Sequence, residues 1–131
     1  KNLGFKKNTD HINKTEVCSG YIDTIVNELI TEGFEPCRIR LSLLKAGGKS
    51  VWHRDAEDNQ YTVRLHIPIV TNNGCFFECD EGQAHLEADG SIYIVKVNRQ
   101  HRVVNLGDQD RLHMIMNITH KTHFTKQLQF A

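Results

Sequence analysis

The change of hydrophobic period at Pro36 limits what this chain can fold into more than any other feature. Before it, Tyr21, Ile22, Ile25, Val26, Leu29 and Ile30 recur at spacings of three and four. Ser19 is placed to cap that run and Gly33 to end it, which predicts one amphipathic helix. After Pro36 the period is two. Cys37 to Lys45, Tyr61 to Val70, Gly74 to Cys79, Ser91 to Val97, Arg102 to Asn105 and Arg111 to Ile118 read as strands, with shorter ones at Ser50 to His53 and Ala84 to Glu87. Turn signals separate them: Gly47-Gly48, Asn72-Asn73-Gly74, Glu81-Gly82, Asp89-Gly90 and Gly107-Asp108. Many short strands and tight turns after a single long helix predict a mainly β chain, a jelly roll or double-stranded barrel with one major flanking helix.

The 131 residues suit one domain, 1–131, with the polar stretch 1–14 as a loosely held lead-in. Sixteen basic side chains balance sixteen acidic ones, so the usual electrostatic argument for nucleic-acid binding is missing. No apolar run approaches the ~20 residues of a membrane span, and no signal-peptide pattern opens the chain. Four cysteines stand at 18, 37, 75 and 79. Cys75 and Cys79 on one strand would point the same way but lie about 13 Å apart, too far for a bridge or a shared ion. Reduced thiols and a cytoplasmic location are the expectation.

The alternation also divides the side chains by chemistry. Arg38, Arg40, Ser42 and Leu44 share one face of the first strand, against Ile39, Leu41 and Leu43 on the other. Arg64, His66 and Pro68 oppose Val63, Leu65, Ile67 and Ile69, and Arg111 and His113 oppose Leu112, Met114 and Met116. Each apolar side suits packing under the helix. The opposite side collects arginines and histidines without a carboxylate, whereas a solvent-washed face mixes signs. This predicts an interior pocket for an anion, because the guanidinium fork matches a carboxylate bidentately. The competing reading is a wet face whose acids come from neighbouring strands.

His53-Arg54-Asp55 is an H-x-D motif. Eight histidines and eight aspartates produce about half such a motif by chance, so alone it decides nothing. Its place at the end of a predicted strand strengthens it, and His101, heading another strand, supplies a third ligand. Two imidazoles and one carboxylate leave three positions of an octahedral ion open, the facial triad of non-haem Fe(II) oxygenases. Arg111 lies ten residues beyond His101, on the cationic face, where it can hold a carboxylate reaching toward the iron. His85-Leu86-Glu87 is the rival H-x-E, and Cys75, Cys79 and His85 are a weaker zinc alternative.

H-R-D at 53–55, R-L-H at 64–66, H-R-V-V-N at 101–105 and R-L-H at 111–113 together resemble the aspartyl/asparaginyl β-hydroxylase family. The resemblance covers about Arg38 to Asn117. It implies a double-stranded β-helix of the cupin-like kind and a 2-oxoglutarate- and Fe(II)-dependent dioxygenase. It further implies that His53, Asp55 and His101 bind iron, that Arg111 pairs with the distal carboxylate of 2-oxoglutarate, and that Arg64, His66 and Ser42 line the cosubstrate pocket. With O2, the expected reaction hydroxylates an amino acid or an Asp/Asn-like peptide residue and releases succinate and CO2. Asp55, present here, favours hydroxylation over halogenation. Arg38, Arg40 and Arg102 are candidates to hold a carboxylate-bearing small-molecule or peptide substrate. The alternative function is a non-catalytic cupin-like module that binds an anion.

Overall fold

The computed structural model describes residues 20–55 and 62–120. Its elements run α1 (Gly20–Thr31), β1 (Phe34–Leu44), β2 (Thr62–Val70), β3 (Cys75–Cys79), β4 (Gly82–Ala84), β5 (Tyr93–Val95), β6 (His101–Asn105) and β7 (Arg111–His120). The helix turns its Ile22, Ile25, Val26 and Leu29 arc inward, and Ile25 and Val26 are buried. Tyr21 and Ile30 flank that arc and are exposed, since at 100° per residue they fall outside it. The helix stops where Gly33 takes φ 92°, a conformation that a Cβ disfavours. Ser19 lies outside the described residues.

The strands form two sheets, of order β1-β7-β2-β5 and β4-β3-β6, all of whose pairings are antiparallel. This is the mainly β, jelly-roll arrangement, with one helix among the described residues. Pro36 is tolerated because β1 is an edge strand. Pro68 sits where the β2–β7 register shifts and beyond the reach of β5. The predicted strand at Ser50 to His53 forms only isolated bridges, Lys49 to Val104 and His53 to His101, so residues 48–53 run beside β6 without a full ladder. The Ala84–Glu87 strand ends at Ala84, its pairing with β3 starting at Gly82.

The helix covers one end of the larger sheet's outer face, where Ile25 packs with Leu65, Ile67, Ile94, Met114, Met116 and Ile118. The other end is uncovered. Leu41, Leu43 and Ile69 are about half exposed, against the expectation that the whole apolar side lies under the helix. Between the sheets, Phe77, Leu86, Val95 and Val97 form a second cluster. It closes one side of the space into which Arg64, His66, Arg111 and His113 project. No helix among the described residues is long and apolar enough to cross a membrane.

Candidate metal centre and anion pocket

His53 and His101 are brought together by backbone. Each donates its N–H to the other's carbonyl, at 3.0 and 2.8 Å, and the rings stand 4.3 Å apart. The Asp55 N–H bonds the Val97 carbonyl at 2.7 Å, which turns the next carboxylate back toward both rings. The Asp55 oxygens lie 4.0 Å from His53 Nε2 and 3.8 Å from His101 Nε2. One donor atom from each residue lies within 4.8 Å of the other two.

The nitrogen that could bind an ion is fixed in both rings. His53 Nδ1 lies 2.8 Å from the Val51 carbonyl and His101 Nδ1 2.7 Å from that of Arg99. A carbonyl only accepts, so each Nδ1 carries the proton and each Nε2 presents a lone pair. Such carbonyl-anchored imidazoles are usual metal ligands. Burial holds the His101 pKa below its ordinary value, although the bond to the Arg99 carbonyl opposes this. Phe77 stacks on that ring at 5.2 Å and 15°. Two imidazole lone pairs and a carboxylate therefore fit a divalent ion.

The rivals are not assembled. His85 Nε2 reaches Glu87 at 3.5 Å, and its Nδ1 is spent on the Cys75 carbonyl at 2.7 Å. The His53, Asp55 and His101 group is the only metal-capable cluster among the described residues. Cys75 and Cys79 are free thiols, and Cys18 lies outside the described residues.

A cavity of about 120 Å³ joins the triad to the cationic face. His53, His101, Arg64, His66, Ser42 and Arg111 all line it, and Phe77, Val97, Val103 and Ile115 make its apolar walls. The face is enclosed: His66 and Arg111 are each 4% exposed and His113 is 3% exposed. Arg111 Nη2 reaches Ser42 Oγ at 3.4 Å, and no carboxylate among the described residues pairs with this guanidinium. Burial lowers its pKa. Arg64 differs. Its Nη1 donates to Asp55 Oδ2 at 2.5 Å and its Nε to Asn117 Oδ1 at 3.2 Å, so one acid does enter this face.

Two sequence assignments fail on geometry. Arg102 follows His101 on a strand, so it points to the opposite face. There it bonds Glu78 at 2.6 Å and lies 4.9 Å from the Trp52 ring. Arg38 does not share the alternation of Arg40. A bulge between Cys37 and Arg40 breaks the register, and Arg38 takes φ 54° within it. Arg40 remains on the inner face, but its Nη1 turns back to the Arg38 carbonyl at 2.8 Å. The sequence reading missed Phe77 and Thr71. Phe77 was legible from alternation with Cys75 and Cys79, whereas Thr71 follows β2 and no pattern marks it.

An enclosed β-sandwich cavity with a two-histidine, one-carboxylate cluster at one side and a buried arginine at another defines a candidate metal- and anion-binding protein. The aspartyl/asparaginyl β-hydroxylase family model matches residues 2–121, and the chain belongs to that family. No curated protein matches it. Among solved structures it is similar to a cupin domain from Bordetella pertussis, at 21% identity and TM-score 0.45 over 64% of this chain and 80% of that one. It is also similar to a predicted oxalate decarboxylase from Thermotoga maritima, at 13% identity and TM-score 0.49 over 71% of this chain and 73% of that one.

Proposed function

We propose that this protein is a 2-oxoglutarate- and Fe(II)-dependent dioxygenase that hydroxylates an amino acid or an Asp/Asn-like residue of a peptide. The observation that carries the reading is Arg111, a buried cation without a carboxylate partner among the described residues, in one cavity with His53 and His101 of the triad. Burying an uncompensated guanidinium is costly, so a site that retains one is built for an anion. Asp55 offsets only part of the charge that Arg64 and Arg111 bring, and a divalent ion adds more. A dianion with a carboxylate at each end offsets most of that excess.

His53, Asp55 and His101 would hold Fe(II), which with 2-oxoglutarate and O2 supplies C–H hydroxylation, succinate and CO2. Arg111 receives the far carboxylate through its fork, and Ser42 and His66 flank it. The apolar walls of Phe77, Val97, Val103 and Ile115 exclude water, which strengthens the ion pairing. Arg64 holds one Asp55 oxygen and leaves the other toward His53. Arg40, at the rim of the cationic face, is the remaining candidate to meet an acidic substrate.

The test is succinate formation from 2-oxoglutarate with Fe(II) and ascorbate, across a panel of amino acids and peptides. Wild type is expected to consume 2-oxoglutarate, and His53→Ala and Asp55→Ala to lose both consumption and Mn(II) binding. Absence of turnover together with unchanged Mn(II) affinity in His53→Ala would sink the proposal. The Arg64–Asp55 pair favours one alternative, a cupin-like anion-binding module in which Arg64 neutralises Asp55 in place of a metal. That reading expects an anion bound without turnover and a tolerated Asp55→Ala.

A further inference from the structure

Beside Arg111 lies a second, much smaller cavity of about 10 Å³, lined by none of the triad residues. Among the described residues, three buried side-chain atoms have no hydrogen-bond partner: Thr71 Oγ1, Arg111 Nε and His113 Nε2. All three residues line this one cavity. Its volume is that of a single water, and three polar partners are what a buried water usually has.

His113 also touches the larger cavity indirectly. Its Nδ1 lies 3.2 Å from His66 Nδ1, and His66 lines both cavities. Two neutral imidazoles meeting Nδ1 to Nδ1 share one proton, so the tautomer of one ring dictates that of the other. Burial chiefly, with Arg111 and His85 nearby, holds the His113 pKa down at about 3. Burial likewise keeps His66 well below its ordinary value, so both rings are neutral at pH 7.

We propose that this small cavity holds one fixed water that sets the proton order of the His113–His66 pair, making His66 Nε2–H a donor to the acid group held by Arg111. Arg111 Nε–H can only donate, so it orients the water with its oxygen toward the guanidinium. The water's own protons then point to Thr71 Oγ1 and His113 Nε2. His113 accepting at Nε2 carries its proton on Nδ1 and donates it to His66 Nδ1. His66 is left with its proton on Nε2, on the side of the ring facing the larger cavity. In the reverse order His66 would present a lone pair there and repel a carboxylate. His113 and Thr71 are thus positioning residues, acting through the water and His66. The role given to the acid group rests on the cosubstrate reading above; the proton order does not.

Long-range nitrogen–proton correlation spectra of metal-free, ligand-free protein read the order directly. The expected result is His113 protonated on Nδ1 and His66 on Nε2, with one water in the small cavity in a high-resolution crystal structure. The opposite tautomers, or no ordered water there, would overturn the proposal. Thr71→Val keeps the shape and removes one partner of the water. It is expected to mix the two tautomers in the spectrum and weaken 2-oxoglutarate binding to the Mn(II)-loaded protein about three- to tenfold. A spectrum unchanged from wild type also overturns it. Because the spectra need neither metal nor ligand, a wrong cosubstrate assignment would show only in the 2-oxoglutarate titration.

Discussion

A guanidinium that is 4% exposed and pairs with no carboxylate among the described residues is a liability to the fold. Burial lowers the Arg111 pKa, meaning the charged form is disfavoured where it sits. Replacing such a charge with an apolar side chain of similar volume is often neutral or stabilising. Arg111→Met is therefore expected to keep or raise the melting temperature while weakening 2-oxoglutarate binding by roughly 100-fold or more. A variant that melts lower and binds normally would show that Arg111 holds the fold and not a ligand. This residue was legible in the sequence, as were His53, Asp55, His101, Arg64 and His66. A period of two puts Arg111, Arg64 and His66 on one face whose own strands carry no acid, while the H-x-D spacing and a histidine heading a later strand mark His53, Asp55 and His101. Arg102 does not join them, because the period that turns His101 inward sends its neighbour to the opposite side. Thr71 was illegible because its importance lies in an atom that has no partner in its own strand or turn.

The turn joining β6 to β7 decides where Arg111 starts, and the buried Asn105 amide is its central tie. Asn105 is fully buried, and its Nδ2 donates to the Leu44 carbonyl at 3.1 Å and to that of Gln109 at 2.8 Å. Its Oδ1 accepts from Asn72 Nδ2 at 3.2 Å and from the Gly107 N–H at 3.1 Å. The small sheet is thereby fastened to the end of β1, whose Leu44 pairs with Arg111. Asn105→Ala strands these partners and is expected to cost roughly 2–4 kcal/mol, a fall of about 10 °C in a thermal melt. Gly74→Ala attacks the same corner by crowding. An added Cβ would lie 2.5 Å from the Gly107 nitrogen, and backbone cannot swing aside as a side chain can. At this scale the sequence was informative about existence and weak about geometry. Helix, strand order along the chain and turn positions follow from period and glycine placement. The bulge at Arg38 does not, because it is imposed by pairing with β7 and not by residues of β1 alone. Nor does the failure of residues 48–53 to form a full ladder, which depends on where β6 lies.

Enclosing two imidazoles among arginines makes the whole molecule sensitive to acid. His66 faces His113, Arg111, Arg64 and Arg40, and His113 faces Arg111 and His85. In the unfolded chain both rings titrate near 6.5. In the folded chain His66 lies well below that and His113 at about 3, with burial the largest cause for each. The folded pKa values are depressed, so between them and 6.5 the unfolded state binds protons that the folded state refuses. Stability is then complete above pH 6.5 and falls as pH drops below it, with a slope approaching roughly 1.4 kcal/mol per pH unit for each ring. For His113, with its folded pKa at about 3, this amounts to roughly 2 kcal/mol by pH 5, and His66 adds to the loss in the same direction. Asp110, held below its ordinary value by the Ala46 N–H, gives up its stabilisation only at lower pH. His101 shifts in the same direction as the buried pair and adds to the slope. Urea melts of metal-free protein at pH 7.5, 6.5, 5.5 and 5.0 should show the decline, and His113→Gln should make it shallower. A wild-type curve that stays flat down to pH 5 would mean that the two rings are protonated in the folded state, and the pocket would then be far more accessible to water than its walls imply.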